Sequence, residues 1–187
     1  NVARGEQQEL RLLTNEDEVA GFPADALADA AAASRAAGHE SASAERGPWM
    51  VTPTPSVCQA VLEQSNDRGL REEVYRACSR LGWRSDTGEA SGGRGDNGWV
   101  VARMLQLRQE WARSLGYESF AEMAFDSRSA PQRQVEIVLQ SLHNASEPAA
   151  RAELEELRAS AARGGAEGEL QPWDVAFWRR RLREDEV

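Results

Sequence analysis

The sequence contains no lysine. All 22 of its basic residues are arginine, and against 31 acidic residues they leave a net charge of −9. Nucleic-acid binding needs clustered positive charge to replace phosphate counterions, so no nucleic-acid partner is expected. Selection for 22 separate guanidinium contacts is implausible; together with the abundant alanine, the arginine usage reads as a codon-composition bias. Histidine is confined to His39 and His143, and cysteine to Cys58 and Cys78. The cysteines lack Cys-x-x-Cys spacing and lie on predicted helical segments, so they are expected to be small buried hydrophobes, as free thiols in a reducing compartment. No apolar run approaches the roughly 18–20 residues needed to span a bilayer, so no membrane partner is expected. Asn1 is not Met, and no charged-then-apolar leader follows it. No signal peptide is read there, and a processed or excised fragment is the simplest expectation.

The 187 residues are 41% hydrophobic and 28% charged, a globular balance. That length suffices for one domain with a core, or for one lobe of something larger. Residues 8–35 read as helix with a break at Gly21-Phe22-Pro23: Leu10, Leu12, Leu13 and Val19 precede an Ala-rich run that Gly38 stops. Pro48-Trp49-Met50-Val51-Thr52-Pro53 is short, β-prone and Pro-bounded, which suits an edge strand or hairpin arm. Ser56 is placed to cap a helix carrying Val57, Ala60 and Val61. Asn66-Asp67 caps another, with Leu70, Val74, Ala77, Cys78 and Leu81 on one face. Residues 84–95 form a flexible Gly-rich loop.

Asp96-Asn97 then caps a helix with Val101, Met104, Leu105, Trp111 and Leu115 in one stripe. Gly116 ends it, and Ser119 starts a short segment around Phe120 and Met123. Ser129-Ala130-Pro131 opens the longest pattern, with Val135, Val138, Leu139 and Leu142 at helical spacing, continuing through Leu154 and Leu157 to Arg163. Pro148 is expected to kink or divide it, and Gly164-Gly165 to stop it. A last helix begins after Pro172, with Arg179-Arg180-Arg181 toward its C-terminal end. The fold class is therefore all-α, with one short β-hairpin or edge-strand patch near 48–53, in a single helical region over residues 1–187.

No catalytic, cofactor-binding or metal-ligating residue emerges. His39-Glu40 is the one possible start of His-Glu-x-x-His, in which two imidazoles one helical turn apart grip zinc and the Glu serves as general base. Ser43 stands where the second His would be, so His39 reads as a solvated loop residue and His143 as a surface residue. Gly92-Gly93-Arg94-Gly95 lacks the Lys-Ser/Thr that completes a phosphate loop. Arg94-Gly95-Asp96 is a chance triplet in this composition, and the Asn144-Ala145-Ser146 sequon lies on a predicted helix. Glu16-Asp17-Glu18 and Glu153, Glu155 and Glu156 read as solvated helix faces.

Several collinear blocks carry a resemblance. Gly21-Phe22-Pro23 precedes the Ala-rich helix, and Gly47-Pro48-Trp49-Met50-Val51-Thr52 follows it. Then come Leu70-Arg71-Glu72-Glu73-Val74-Tyr75-Arg76-Ala77, then Asp96-Asn97 ahead of Leu105-Gln106-Leu107-Arg108-Gln109-Glu110-Trp111-Ala112, and Leu115-Gly116-Tyr117. Leu170-Gln171-Pro172-Trp173-Asp174 closes the series. From about residue 15 onward the chain resembles the thimet oligopeptidase and oligopeptidase A family of zinc metallopeptidases. Departures lie at the Gly-rich loop and at Asp126-Ser127-Arg128-Ser129.

The resemblance implies a helical part that walls a deep channel admitting short peptides. Zinc in the full-length enzyme would lower the pKa of a bound water toward about 7, and its ligands would lie downstream of Val187. This chain is thus expected to bind no zinc and to be inactive alone; a non-catalytic helical scaffold derived from such a peptidase is the alternative. A cytoplasmic location, or an organelle stroma or matrix, is expected. A truncated lobe should also expose Trp173, Phe177 and Trp178.

Overall fold

Arg11–Leu13 is a strand, β1, and not the opening of a helix. It pairs antiparallel with Trp49–Val51, β2, in the register Arg11 to Val51, Leu12 to Met50 and Leu13 to Trp49. The expected helix over 8–20 fails for a local reason. The Asn15 side chain accepts from the Asp17 amide at 3.1 Å, while the Glu18 carboxylate accepts from the Thr14 and Asn15 amides at 3.1 and 3.0 Å. That capping box starts a single 3-10 turn, Glu16–Val19, and leaves residues 11–13 to the ladder. The β-prone patch is therefore half of a two-stranded sheet whose other half lies upstream.

The computed structural model describes residues 9–80, 97–128, 131–166 and 168–185. Two compact units divide the chain: residues 4–82 with 156–187, and residues 1–3 with 83–155. In the first unit, helix α1 (Ala24–Ala36) buries Ala26, Ala30, Ala31 and Ser34 and packs on β2. These small side chains admit the bulk of Trp49, which is almost wholly buried. Helix α2 (Pro55–Gln64) starts at Thr54 with Pro55 in its first turn, and not at Ser56. The Ser56 hydroxyl is used elsewhere, donating to the Asp29 carboxylate on α1. Helix α3 (Arg68–Ser79) begins as expected, with the Asp67 side chain accepting from the Leu70 amide at 3.1 Å.

Leu70 and Val74 of α3 enter a core shared with Leu13, Val57 and Val61. Cys58 on α2 and Cys78 on α3 are joined in a disulfide and are not the free thiols expected from their spacing. The burial half of that expectation stands, since Cys58 lies in the core and Cys78 packs against it. Packing of α2 against α3 brings together two residues 20 apart in sequence, a proximity that spacing alone does not reveal.

Gln132–Arg163 forms one continuous helix, α6, with Pro148 inside it, so the proline does not divide the pattern. Its last two turns belong to the first unit and end where Gly164-Gly165 were expected to stop it. The Ala166 amide donates to the Ala161 carbonyl at 2.9 Å and the Gly165 amide to Ala162 at 3.2 Å, with Gly165 at φ 83°. This paired closure requires the left-handed conformation that glycine adopts without strain. After it, Pro172–Asp185 forms helix α7. Phe177 and Trp178 pack with Leu157 and Ala161 of α6 and are buried, while Trp173 is half-buried. The expected exposure of Phe177 and Trp178 is thus overturned, because the end of α6 folds over them.

In the second unit, Gly98–Ser114 forms α4 and Phe120–Asp126 forms α5, followed by the first part of α6. Ser119 caps α5 through the Glu122 amide at 3.1 Å. The apolar stripes read on α4 and α6 are helical but not buried: Leu105, Trp111, Leu139 and Leu142 are 56–61% exposed. The Gly-rich loop 84–95, with Arg94-Gly95-Asp96 and Leu81, falls outside the described residues.

Candidate functional site

The Gln171-Pro172-Trp173-Asp174 turn sets the start of α7. Pro172, which has no amide hydrogen to lose, occupies the first helical position. The Asp174 amide donates to the Gln171 carbonyl at 2.9 Å, and the Asp174 carboxylate accepts from the Gln171 amide at 3.1 Å. This reciprocal closure fixes the carboxylate where α3 meets α7. Arg68 and Arg71 stand three apart, on one face of α3. Arg68 Nε is 3.1 Å from both Asp174 oxygens and its Nη2 is 2.7 Å from one of them. Arg71 Nη2 donates to the other at 2.8 Å, and its Nη1 to the Ser65 carbonyl at 2.8 Å.

Arg71 and Asp174 are 3% and 2% exposed, so this pair sits inside the protein, where charge-assisted bonds are strong and unpaired charge is costly. Burial alone would raise the Asp174 carboxyl. The hydrogen bonds from Arg68 and Arg71, with that from the Gln171 amide, outweigh it and hold the group below the usual carboxylate range.

Aromatic rings complete the surroundings. The Arg71 guanidinium lies 4.0 Å from the Phe177 ring centre and that of Arg181 3.4 Å from the same ring. Arg181 Nη2 donates to Asn66 Oδ1 at 2.9 Å. Trp173 meets Tyr75 at 6.1 Å between ring centres, with the Arg76 guanidinium 5.0 Å from the indole. Arg68, Arg71, Asp174, Phe177, Trp178 and Arg181 border a cleft of about 390 Å3, closed on another side by Asn66 and Gly164–Ala166.

This arrangement contains no nucleophile with a base beside it. Among the described residues no three His, Cys, Asp or Glu side chains gather in a way that could hold a metal ion, so the described residues do not fit a zinc site. His39 is exposed in the turn after α1, and His143 is exposed on α6. Glu18 serves the capping box, and Glu153, Glu155 and Glu156 are exposed on α6. Asn144-Ala145-Ser146 lies within α6. Sequence reading used the blocks around Arg71 and Asp174 as separate marks of resemblance and missed their union. The available signal was the i, i+3 pair of arginines, which suits a single shared carboxylate, but nothing in the sequence names a partner 103 residues away.

The model of peptidase family M3 matches residues 61–187. The chain is 36% identical over 186 residues to a probable cytosolic oligopeptidase A of Arabidopsis thaliana, covering 98% of this chain and 25% of that protein. It is equally similar, at 36% over 186 residues, to an organellar oligopeptidase A, chloroplastic/mitochondrial, of the same plant; that match covers 98% of this chain and 22% of the relative. Oligopeptidase A of Escherichia coli is 36% identical over 169 residues, covering 90% of this chain and 23% of the relative. The chain thus spans about a quarter of the length of the curated relatives it matches.

Proposed function

Since the chain belongs to peptidase family M3, we propose that it is the helical portion of a zinc-dependent oligopeptidase that hydrolyses short peptides. Its part is to wall the substrate channel, and the zinc and hydrolytic groups belong to the remainder of a longer protein. The observation that carries this reading is the match over residues 61–187, which takes in both halves of the Arg71–Asp174 pair. The buried ion pair then acts as a latch, holding the start of α7 against α3 within this unit.

The compartment we propose is the cytoplasm or an organelle stroma or matrix, as the names of the plant relatives suggest. Disulfides are rare in such places. The Cys58–Cys78 bond runs against that pattern, and Cys78 is only partly buried beside the core.

The test takes the purified chain with added zinc and a quenched short peptide. No hydrolysis is expected; turnover that a chelator abolishes would overturn the supporting role. Reading the coding frame past Val187 tests the rest. A His-Glu-x-x-His segment there supports the peptidase, whereas a stop codon supports a non-catalytic scaffold.

A further inference from the structure

We propose that the apolar faces of α4 and of the first part of α6, residues 132–155, form a docking surface for a second copy of this chain. This inference does not depend on the peptidase reading. It starts from a unit with almost no interior of its own. Among the described residues of the second unit, Ala112 alone is buried. One buried alanine does not offset the conformational entropy of ordering α4, α5 and this part of α6. The apolar side chains of the unit therefore constitute a contact surface.

Val101, Met104, Leu105, Trp111 and Leu115 recur at helical spacing on α4, and each is 46–59% exposed. On α6, Val138, Leu139 and Leu142 form a second stripe, at 48–61%. α4 packs on α5, and the exposure of both stripes shows that they do not cover each other within one chain. Outside the described residues, 1–8, 81–96 and 129–130 contribute as large apolar side chains Val2, Leu81 and Trp83, too few to bury two stripes.

The charges select the partner. Over α4, Arg103, Arg108 and Arg113 stand against Glu110, a net charge of +2. Over residues 132–155, Arg133 and Arg151 stand against Glu136, Glu147, Glu153 and Glu155, a net charge of −2. Two apolar faces of opposite sign on one chain complement each other. Across a twofold axis, α4 of one copy meets α6 of the other, and the reciprocal contact forms at the same time.

Repulsion between copies is also smallest here. Residues 97–155, with six arginines and eight acidic side chains, carry a net −2 of the chain's −9, so most of the acidic charge lies elsewhere. Arg108 follows Val101 by seven positions and so stands within the α4 stripe, while Glu136 adjoins Val135 at the start of the α6 stripe. A specific interface of about 800 Å2 per partner takes roughly 20–30 residues a side, which two helices of this length supply.

The experiment measures the mass of the full chain by sedimentation equilibrium across a concentration series, with hydrogen exchange recorded at both ends of the series. A saturable monomer-to-dimer step is expected, with exchange in α4 and in residues 132–155 slowing as the dimer forms. Arg108→Glu should weaken the dimer by about tenfold or more by setting like charges against each other. Adding Glu136→Arg to that variant should restore part of the loss. A monomer at every concentration, association that continues past the dimer, or no recovery in a folded double variant would overturn the proposal. Should the variants fail to fold, the wild-type series decides: a dimer whose slowed exchange lies outside α4 and residues 132–155 overturns it as well.

Discussion

Arg71 Nη2 lies 2.8 Å from Asp174 Oδ1, across 103 residues of sequence, with both side chains almost entirely buried. Neither charge is tolerable at that depth without the other. The bond therefore ties the start of α7 to α3 more firmly than a surface pair would. Asp174→Ala should cost about 3–5 kcal/mol in urea unfolding, because Arg71 is left buried without its counter-charge. Arg68→Ala should cost less than Arg71→Ala, since Arg68 is 42% exposed and water replaces part of its bond.

Acid should weaken the same contact. Asp174 is held below its ordinary value because the bonds from Arg68, Arg71 and Gln171 outweigh its burial. Asp67 is lowered too, with the Leu70 amide and Arg11 outweighing burial. A carboxyl depressed in the folded state contributes its stability above the unfolded pKa of about 3.9, and that stability is lost as pH falls through the lower folded value. The urea midpoint should therefore show no loss from these groups between neutrality and about pH 5, then fall below about pH 4. Asp174→Asn should flatten part of that acid limb. An identical limb in the variant would remove Asp174 as its source.

Gly164 is held by crowding. A Cβ built there falls 2.2 Å from Trp178 Cζ3 and 2.5 Å from Cη2. Gly164→Ala should cost about 1–3 kcal/mol by forcing the indole from its place, visible as a shift in Trp emission together with a lower melting temperature. At Gly165 nothing lies within 4 Å of the added carbon, but φ is +83°. Gly165→Ala should cost about 1–2 kcal/mol through backbone conformation, without the spectral change.

Reduction of Cys58–Cys78 should also be measurable. The bond closes a loop with a sequence separation of 20, for which chain-entropy arguments give about 3 kcal/mol. The native chain should resist alkylation until dithiothreitol is added and then accept two labels per molecule, with a lower unfolding midpoint. Two labels without reductant would show free thiols.

Trp99, Leu105 and Trp111 on α4, and Leu139 and Leu142 on α6, are 56–64% exposed. Exposed apolar surface of this kind binds hydrophobic dyes and promotes association. Leu139→Gln with Leu142→Gln should lower both dye binding and the sedimentation-derived mass at high concentration. Unchanged values would show that this part of α6 is covered in solution.

The sequence by itself determined the local stops and starts. Asp67, Ser119, Pro172, Gly38, Gly116 and Gly165 each act through bonds within a few residues, so a linear reading finds them. The same holds for the helical periodicity of α3, α4 and α6. Tertiary structure decided what depends on distant partners. Residues 11–13 became a strand because Trp49–Val51 offered a ladder, and the cysteines paired because α2 and α3 pack together. An apolar stripe specifies a face but not whether anything covers it. Hence Leu139 is exposed, while Phe177, expected at the surface, is buried beneath the end of α6. The candidate site belongs wholly to this second class. Its arginines and its carboxylate are plain in the sequence, yet their chemistry arises only when folding buries Arg71 and Asp174 together.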